Sequence, residues 1–85
     1  MSKYEKAKKR ILNISSDYQY LEARYLLGKM EFEEFNKGKT SGSRVKFYRE
    51  KDGRIIMLHK PHPTDIMDKG AVEDLVQKLK EMGEL

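Results

Sequence analysis

The sequence has no cysteine, only two histidines and two prolines, and no apolar run that approaches the length needed to cross a bilayer. Without cysteine there is no disulfide and no thiolate zinc site. An 85-residue chain without such staples has a thin core, held by well-packed helices and sheet or by a partner. Residues 1–10 are basic but lack the apolar stretch of an export signal. These absences predict one domain over residues 1–85, in a reducing, cytoplasmic setting and with no membrane partner.

What the chain has instead is unevenly placed positive charge. Its formal net charge is +4, yet residues 37–63 alone carry Lys37, Lys39, Arg44, Lys46, Arg49, Lys51, Arg54 and Lys60 against Glu50 and Asp52, a net of +6. The same stretch ends in both histidines, His59 and His62. A basic hairpin closed by histidines suits a polyanion such as RNA, and acid/base chemistry upon it.

Periodicity outlines the elements. Tyr4, Ala7, Ile11 and Ile14 fall at helical spacing and predict a first helix over 3–13, with lysines around its other faces. Residues 15–17, Ser-Ser-Asp, read as a break and a cap for a second helix over 20–29. Residues 32–37 read as a short strand and 38–43 as a Gly/Ser/Thr loop. Residues 44–50 are the clearest strand, with Val45 and Phe47 facing one way and Arg44, Lys46 and Tyr48 the other. Asp52-Gly53 signals a hairpin, and 54–59 returns as a strand. Because Ile55, Ile56, Met57 and Leu58 are all apolar, that strand is expected to be central or covered on both faces. Pro61 and Pro63 hold an extended connection, and Asp65 or Asp68 caps a last helix over 71–82. Its stripe of Ala71, Val72, Leu75, Val76, Leu79 and Met82 is expected to pack on the sheet. The fold class is α+β: a three-stranded antiparallel sheet packed by helices on one face, with residues 1–14 as an N-terminal helical extension.

Three features bear on chemistry. His59 and His62 stand beside Lys60, Arg44 and Lys46. RNA cleavage without a metal needs a base for the 2′-OH, an acid for the leaving oxygen and cations for the charge on phosphorus, and this set contains all three. The plainer reading is a His-Lys-Pro-His-Pro surface corner with no proton to move. The loop 38–43 offers backbone N–H groups to a phosphate but lacks the glycine spacing of a nucleotide-binding loop, and an ordinary loop is the simpler reading. Arg44, Lys46 and Tyr48 form a strand face of cations and an aromatic, able to hold phosphates and stack a base, or simply an exposed sheet face. Lys37, Lys39, Arg49 and Lys60 are the further phosphate contacts expected. No metal or other cofactor is expected, because Glu33-Glu34 and Glu73-Asp74 lack converging partners.

Gly42-Ser43-Arg44-Val45-Lys46-Phe47, then His62-Pro63, then Lys69-Gly70-Ala71-Val72-Glu73-Asp74-Leu75 resemble the motifs of the HicA toxins of toxin–antitoxin pairs. The resemblance spans about residues 20–83. It implies a fold like the double-stranded-RNA-binding domain, endonuclease action on mRNA and a HicB-like antitoxin as partner. The family places its catalytic histidine directly after Gly-Ser on the second strand, where this chain has Arg44. Arginine remains protonated and cannot act as a base, although it can stabilise a transition state. The resemblance therefore moves the proton transfer to His62, whose His-Pro corner matches the family, or to His59; otherwise the chain binds RNA without cutting it.

Overall fold

The structure, a computed structural model of the chain, describes residues 2–35, 44–61 and 64–85. Among the described residues three helices and three strands follow in the order α1 (Lys3–Leu12), α2 (Tyr20–Lys29), β1 (Glu33–Phe35), β2 (Arg44–Arg49), β3 (Arg54–His59) and α3 (Lys69–Glu81). The class is α+β, with one three-stranded antiparallel sheet.

α1 starts where the Ser2 hydroxyl accepts the Glu5 N–H at 3.2 Å. Its apolar stripe turns inward: Ile11 is buried, and Tyr4, Ala7 and Ile14 pack half-buried against the core. The helix gives way to a turn in which Ile14 takes φ 48°, a left-handed conformation that a β-branched residue rarely adopts. The cap of α2 is Gln19 rather than the expected Ser-Ser-Asp; the Glu22 carboxylate reaches back to the Gln19 N–H at 2.9 Å. Asp17 instead accepts from the Ser15 hydroxyl at 2.8 Å and from Arg10 at 3.1 Å. Arg10 also reaches Glu22 at 2.8 Å, so one guanidinium fastens α1 to the start of α2. That pairing holds the Glu22 carboxyl below its usual range, and the Ser15 hydroxyl followed by Arg10 does the same for Asp17.

Both cap candidates before α3 are used, for different helices. Asp68 caps α3 itself, accepting from Gly70 N–H at 3.1 Å, and α3 begins two residues earlier than its apolar stripe predicts. Asp65 accepts from Leu21 N–H at 3.2 Å in the first turn of α2. The surrounding segment is tied to the start of α2 by Met67 N–H to the Tyr18 carbonyl and Tyr20 N–H to the Asp65 carbonyl, each 2.8 Å. Past α3, Gly83 takes φ +79°, the conformation that ends a helix most readily at glycine.

The strand order is β1-β2-β3, so β3 lies at an edge and the apolar run 55–58 does not mark a central strand. Ile56 and Leu58 face the core with Val45 and Phe47, while Ile55 and Met57 face outward, 51% and 43% exposed. The core continues through Leu75, Val76 and Leu79 of α3, Tyr20, Ala23, Leu26 and Leu27 of α2, and Ile11 of α1. The helices contribute to a core on one face of the sheet, and among the described residues no element covers the other, which is the bare face. Among the described residues no helix is long and apolar enough to cross a membrane.

Candidate nucleic-acid interface

Side chains of directly opposed residues in an antiparallel pair share a face. Register therefore fixes what the bare face displays. Arg44 opposes His59, Lys46 opposes Met57, and Tyr48 opposes Ile55. On the other side of β2, Phe35 opposes Lys46 and Glu33 opposes Tyr48. The face thus carries a row Phe35, Lys46, Met57; a row Glu33, Tyr48, Ile55; and the pair Arg44 and His59. Directly opposed residues have Cβ atoms about 4.5–5.5 Å apart, so Arg44 and His59 start their side chains as neighbours on this face.

Electrostatically the face is basic. On it Arg44 and His59 are exposed and Lys46 and Tyr48 are half-buried; the exposed Lys60 follows His59 beyond the end of β3. Among the described residues no carboxylate lies within ion-pair distance of Arg44, Lys46 or Lys60. The acidic residues of β1 divide. Glu33 lies on the bare face, whereas Glu34 takes the Tyr20 hydroxyl at 2.6 Å and the Arg24 guanidinium at 2.9 Å above α2. The Tyr20 phenol is accordingly raised, by burial first and by Glu34 second.

Arg49 does not belong to this interface. It continues the inward alternation of Val45 and Phe47 and is 3% exposed. Its guanidinium donates to Asp52 at 2.8 and 3.1 Å, to Glu84 at 2.9 Å and to the Met30 carbonyl at 3.1 Å, and it lies 4.7 Å over the Phe32 ring. These partners leave it no access to a phosphate. The Arg49 hydrogen bonds are also the main reason the Asp52 carboxyl sits below its usual range.

Lys37, Lys39 and His62, together with the loop 38–43, lie outside the described residues. Of the expected site residues, the sheet brings together Arg44, Lys46, Tyr48 and His59, with Lys60 next in the chain after His59. Three members of the face escape a reading from sequence. Ile55 and Met57 are visible only once β3 is known to be at an edge. Phe35 is hidden because Phe32 precedes it by three: Phe32 is buried ahead of β1, and Phe35 stands on the bare face, 40% exposed. The Phe35 and Tyr48 rings meet edge to face, with centroids 6.2 Å apart at 66°.

Away from the sheet face, a concavity of about 420 Å³ runs between α1 and α2 and is lined by Lys3, Lys6, Arg10, Tyr18, Leu21 and Tyr25 among others. Among the described residues no group of three or more histidine, aspartate or glutamate side chains is placed to hold a metal ion. Compared with protein-family models, with curated proteins and with solved structures, the chain matches none.

Proposed function

We propose that the bare sheet face binds RNA and that the chain is a HicA-like mRNA interferase: a metal-independent endonuclease on a scaffold like the double-stranded-RNA-binding domain, silenced by an acidic HicB-like antitoxin. The observation that carries this reading is the cross-strand pair Arg44 and His59. The family's catalytic histidine is expected at position 44, and in this chain an imidazole stands directly across the sheet from that position. The register therefore supports His59 as a proton carrier, while His62, the match to the family's His-Pro corner, lies outside the described residues.

The chemistry follows from that pair. An imidazole takes the proton of a 2′-OH, the 2′-oxygen attacks the adjacent phosphorus, and the 5′-oxygen leaves with a proton from an acid. The products are a 2′,3′-cyclic phosphate and a 5′-hydroxyl. Arg44 and Lys46 stabilise the charge that grows on the phosphoryl oxygens. The same cations call for an acidic cover when the enzyme is silent, with opposite charge speeding the encounter.

The test is single-turnover cleavage, with chelator present, of one RNA and its 2′-deoxy analogue. The wild type is compared with Arg44→Lys, Arg44→Ala, His59→Ala and His62→Ala. We expect no cleavage of the deoxy analogue, partial activity in Arg44→Lys, a large loss in Arg44→Ala and the deepest loss in His59→Ala with RNA affinity retained. Full activity in both histidine variants would end the acid/base assignment. The arginine at the family's histidine position favours one other reading, a non-catalytic RNA-binding module on the same scaffold; RNA binding without cleavage by the wild type would select it.

A further inference from the structure

The bare face is not only basic. Phe35, Ile55 and Met57 are among the most exposed large apolar side chains of the described residues, at 40%, 51% and 43%, and all three lie on this one face. Cations alone would suffice to hold phosphates, so they leave this apolar surface unexplained. Its centre is aromatic. Phe35 is the exposed ring, and the half-buried Tyr48 braces it edge-on at 6.2 Å. Lys46 stands between Phe35 and Met57 in the row that crosses the three strands.

We infer that Phe35, braced by Tyr48, is a stacking platform for an unpaired RNA base, next to the phosphate held by Arg44 and Lys46. The inference rests on the RNA-binding reading of this face and adds the form of RNA that it takes. A duplex hides its base faces and offers a protein mainly phosphates and 2′-hydroxyls, for which an exposed phenylalanine has no use. An unpaired base offers a π-face, and ring stacking tolerates any base. The spacing is suitable. Phe35 lies one strand and one same-face step from Arg44, about 4.8 Å across and about 7 Å along the sheet. A base on Phe35 therefore belongs to a nucleotide beside the phosphate at Arg44 and His59. Glu33, directly opposite Tyr48, sets an anionic limit to that end of the platform, so the strand is expected to run from Phe35 toward His59 and away from Glu33.

Fluorescence anisotropy with three labelled probes tests this: a short uridine oligonucleotide, the same backbone with abasic sites, and a blunt RNA duplex of equal length. Variants are Phe35→Ala, Phe35→Leu, Phe35→Tyr and Lys46→Ala, each checked for wild-type circular dichroism. Loss of a stacked base on alanine substitution predicts roughly five- to a hundredfold weaker uridine binding in Phe35→Ala. Phe35→Leu keeps an apolar side chain but no ring and should lose nearly as much, while Phe35→Tyr should bind as the wild type does. The slope of log affinity against log salt should be unchanged in the Phe35 variants and fall by about 0.7 in Lys46→Ala. The abasic backbone should bind wild type and Phe35→Ala alike. Wild-type uridine affinity in Phe35→Ala and Phe35→Leu, or tighter binding of the duplex than of the uridine strand, overturns the platform while leaving RNA binding by the face intact. If those variants lose only the acidic protein partner, the patch is a protein contact and the platform is likewise overturned. A wild type that binds none of the three probes overturns both readings.

Discussion

Lys46 and Arg49 are three residues apart on β2 and so face opposite ways, one toward solvent and one into the core. The two cations should respond differently to removal. Arg49→Met deletes charge-assisted bonds to Asp52 and Glu84 but leaves carboxylates that water can reach, so it should cost about 1.5–3 kcal/mol in urea denaturation. It should leave the salt dependence of RNA binding as it was, whereas Lys46→Ala should flatten it at little cost in stability. Equal salt slopes for Lys46→Ala and the wild type would remove Lys46 from the interface. The carboxyls of Glu22, Asp17 and Asp52 make a second prediction. Each binds its proton more weakly in the folded chain than in the unfolded one. Stability is therefore complete above the ordinary carboxyl values of 4.5 for Glu22 and 3.8 for the aspartates, and it declines as pH falls through them toward the lower folded values. Urea midpoints measured from pH 7 to pH 3 should fall at the acid end, and less steeply in Glu22→Gln. A flat wild-type profile would count against these pairings.

At the scale of elements, α3 is the test of the packing. Leu75 is 1% exposed beneath the sheet, and Leu75→Ala should cost about 2–5 kcal/mol. Asp68→Ala removes the cap and should cost about 1 kcal/mol. Thermal melts of both variants check the ranking, and an Asp68→Ala loss exceeding that of Leu75→Ala would contradict it. The stripe of α3 and the alternation of β2 are legible in the sequence because each element meets the core on one side and its period records that side. β3 is not legible in this way. Ile55-Ile56-Met57-Leu58 has the composition of a strand covered on both faces, and nothing local records how many strands lie beside it. The cap of α2 is hidden for a related reason. Ser15 and Asp17 have the right chemistry for a cap, but Arg10 engages Asp17, and the distant Asp65 supplies a bond that no local pattern announces. For the face itself, Arg44, Lys46 and Tyr48 follow from alternation, while the partnership of Arg44 with His59 and of Phe35 with Tyr48 depends on register, which is a property of pairs of strands.

At the scale of the molecule, the segregation of helices to one face leaves, among the described residues, a bare, basic and partly aromatic surface. Controlled expression in cells, read by growth and by mRNA integrity, tests whether that surface acts on RNA in vivo. Arrested growth with cut message is expected for the wild type and relief is expected in His59→Ala. The edge position of β3 has another outcome, for the behaviour of concentrated solutions. An edge strand ordinarily carries a lysine, a proline or a bulge that blocks edge-to-edge pairing, and Arg54–His59 has no lysine or proline between its ends. Laid antiparallel against the same strand of another chain with Ile56 opposite Ile56, it sets Ile55 against Met57 on the bare face and Asp52 against Lys60 beyond the strand ends. Among the described residues that register sets no like charges opposite one another. The chain should therefore scatter light increasingly as it is concentrated at low RNA, and Met57→Lys should raise its solubility limit while shifting the urea midpoint little. On the proposed RNA-binding reading, a bound strand would act in the same direction by covering Met57, and the nucleic acid would then serve as a solubilising agent.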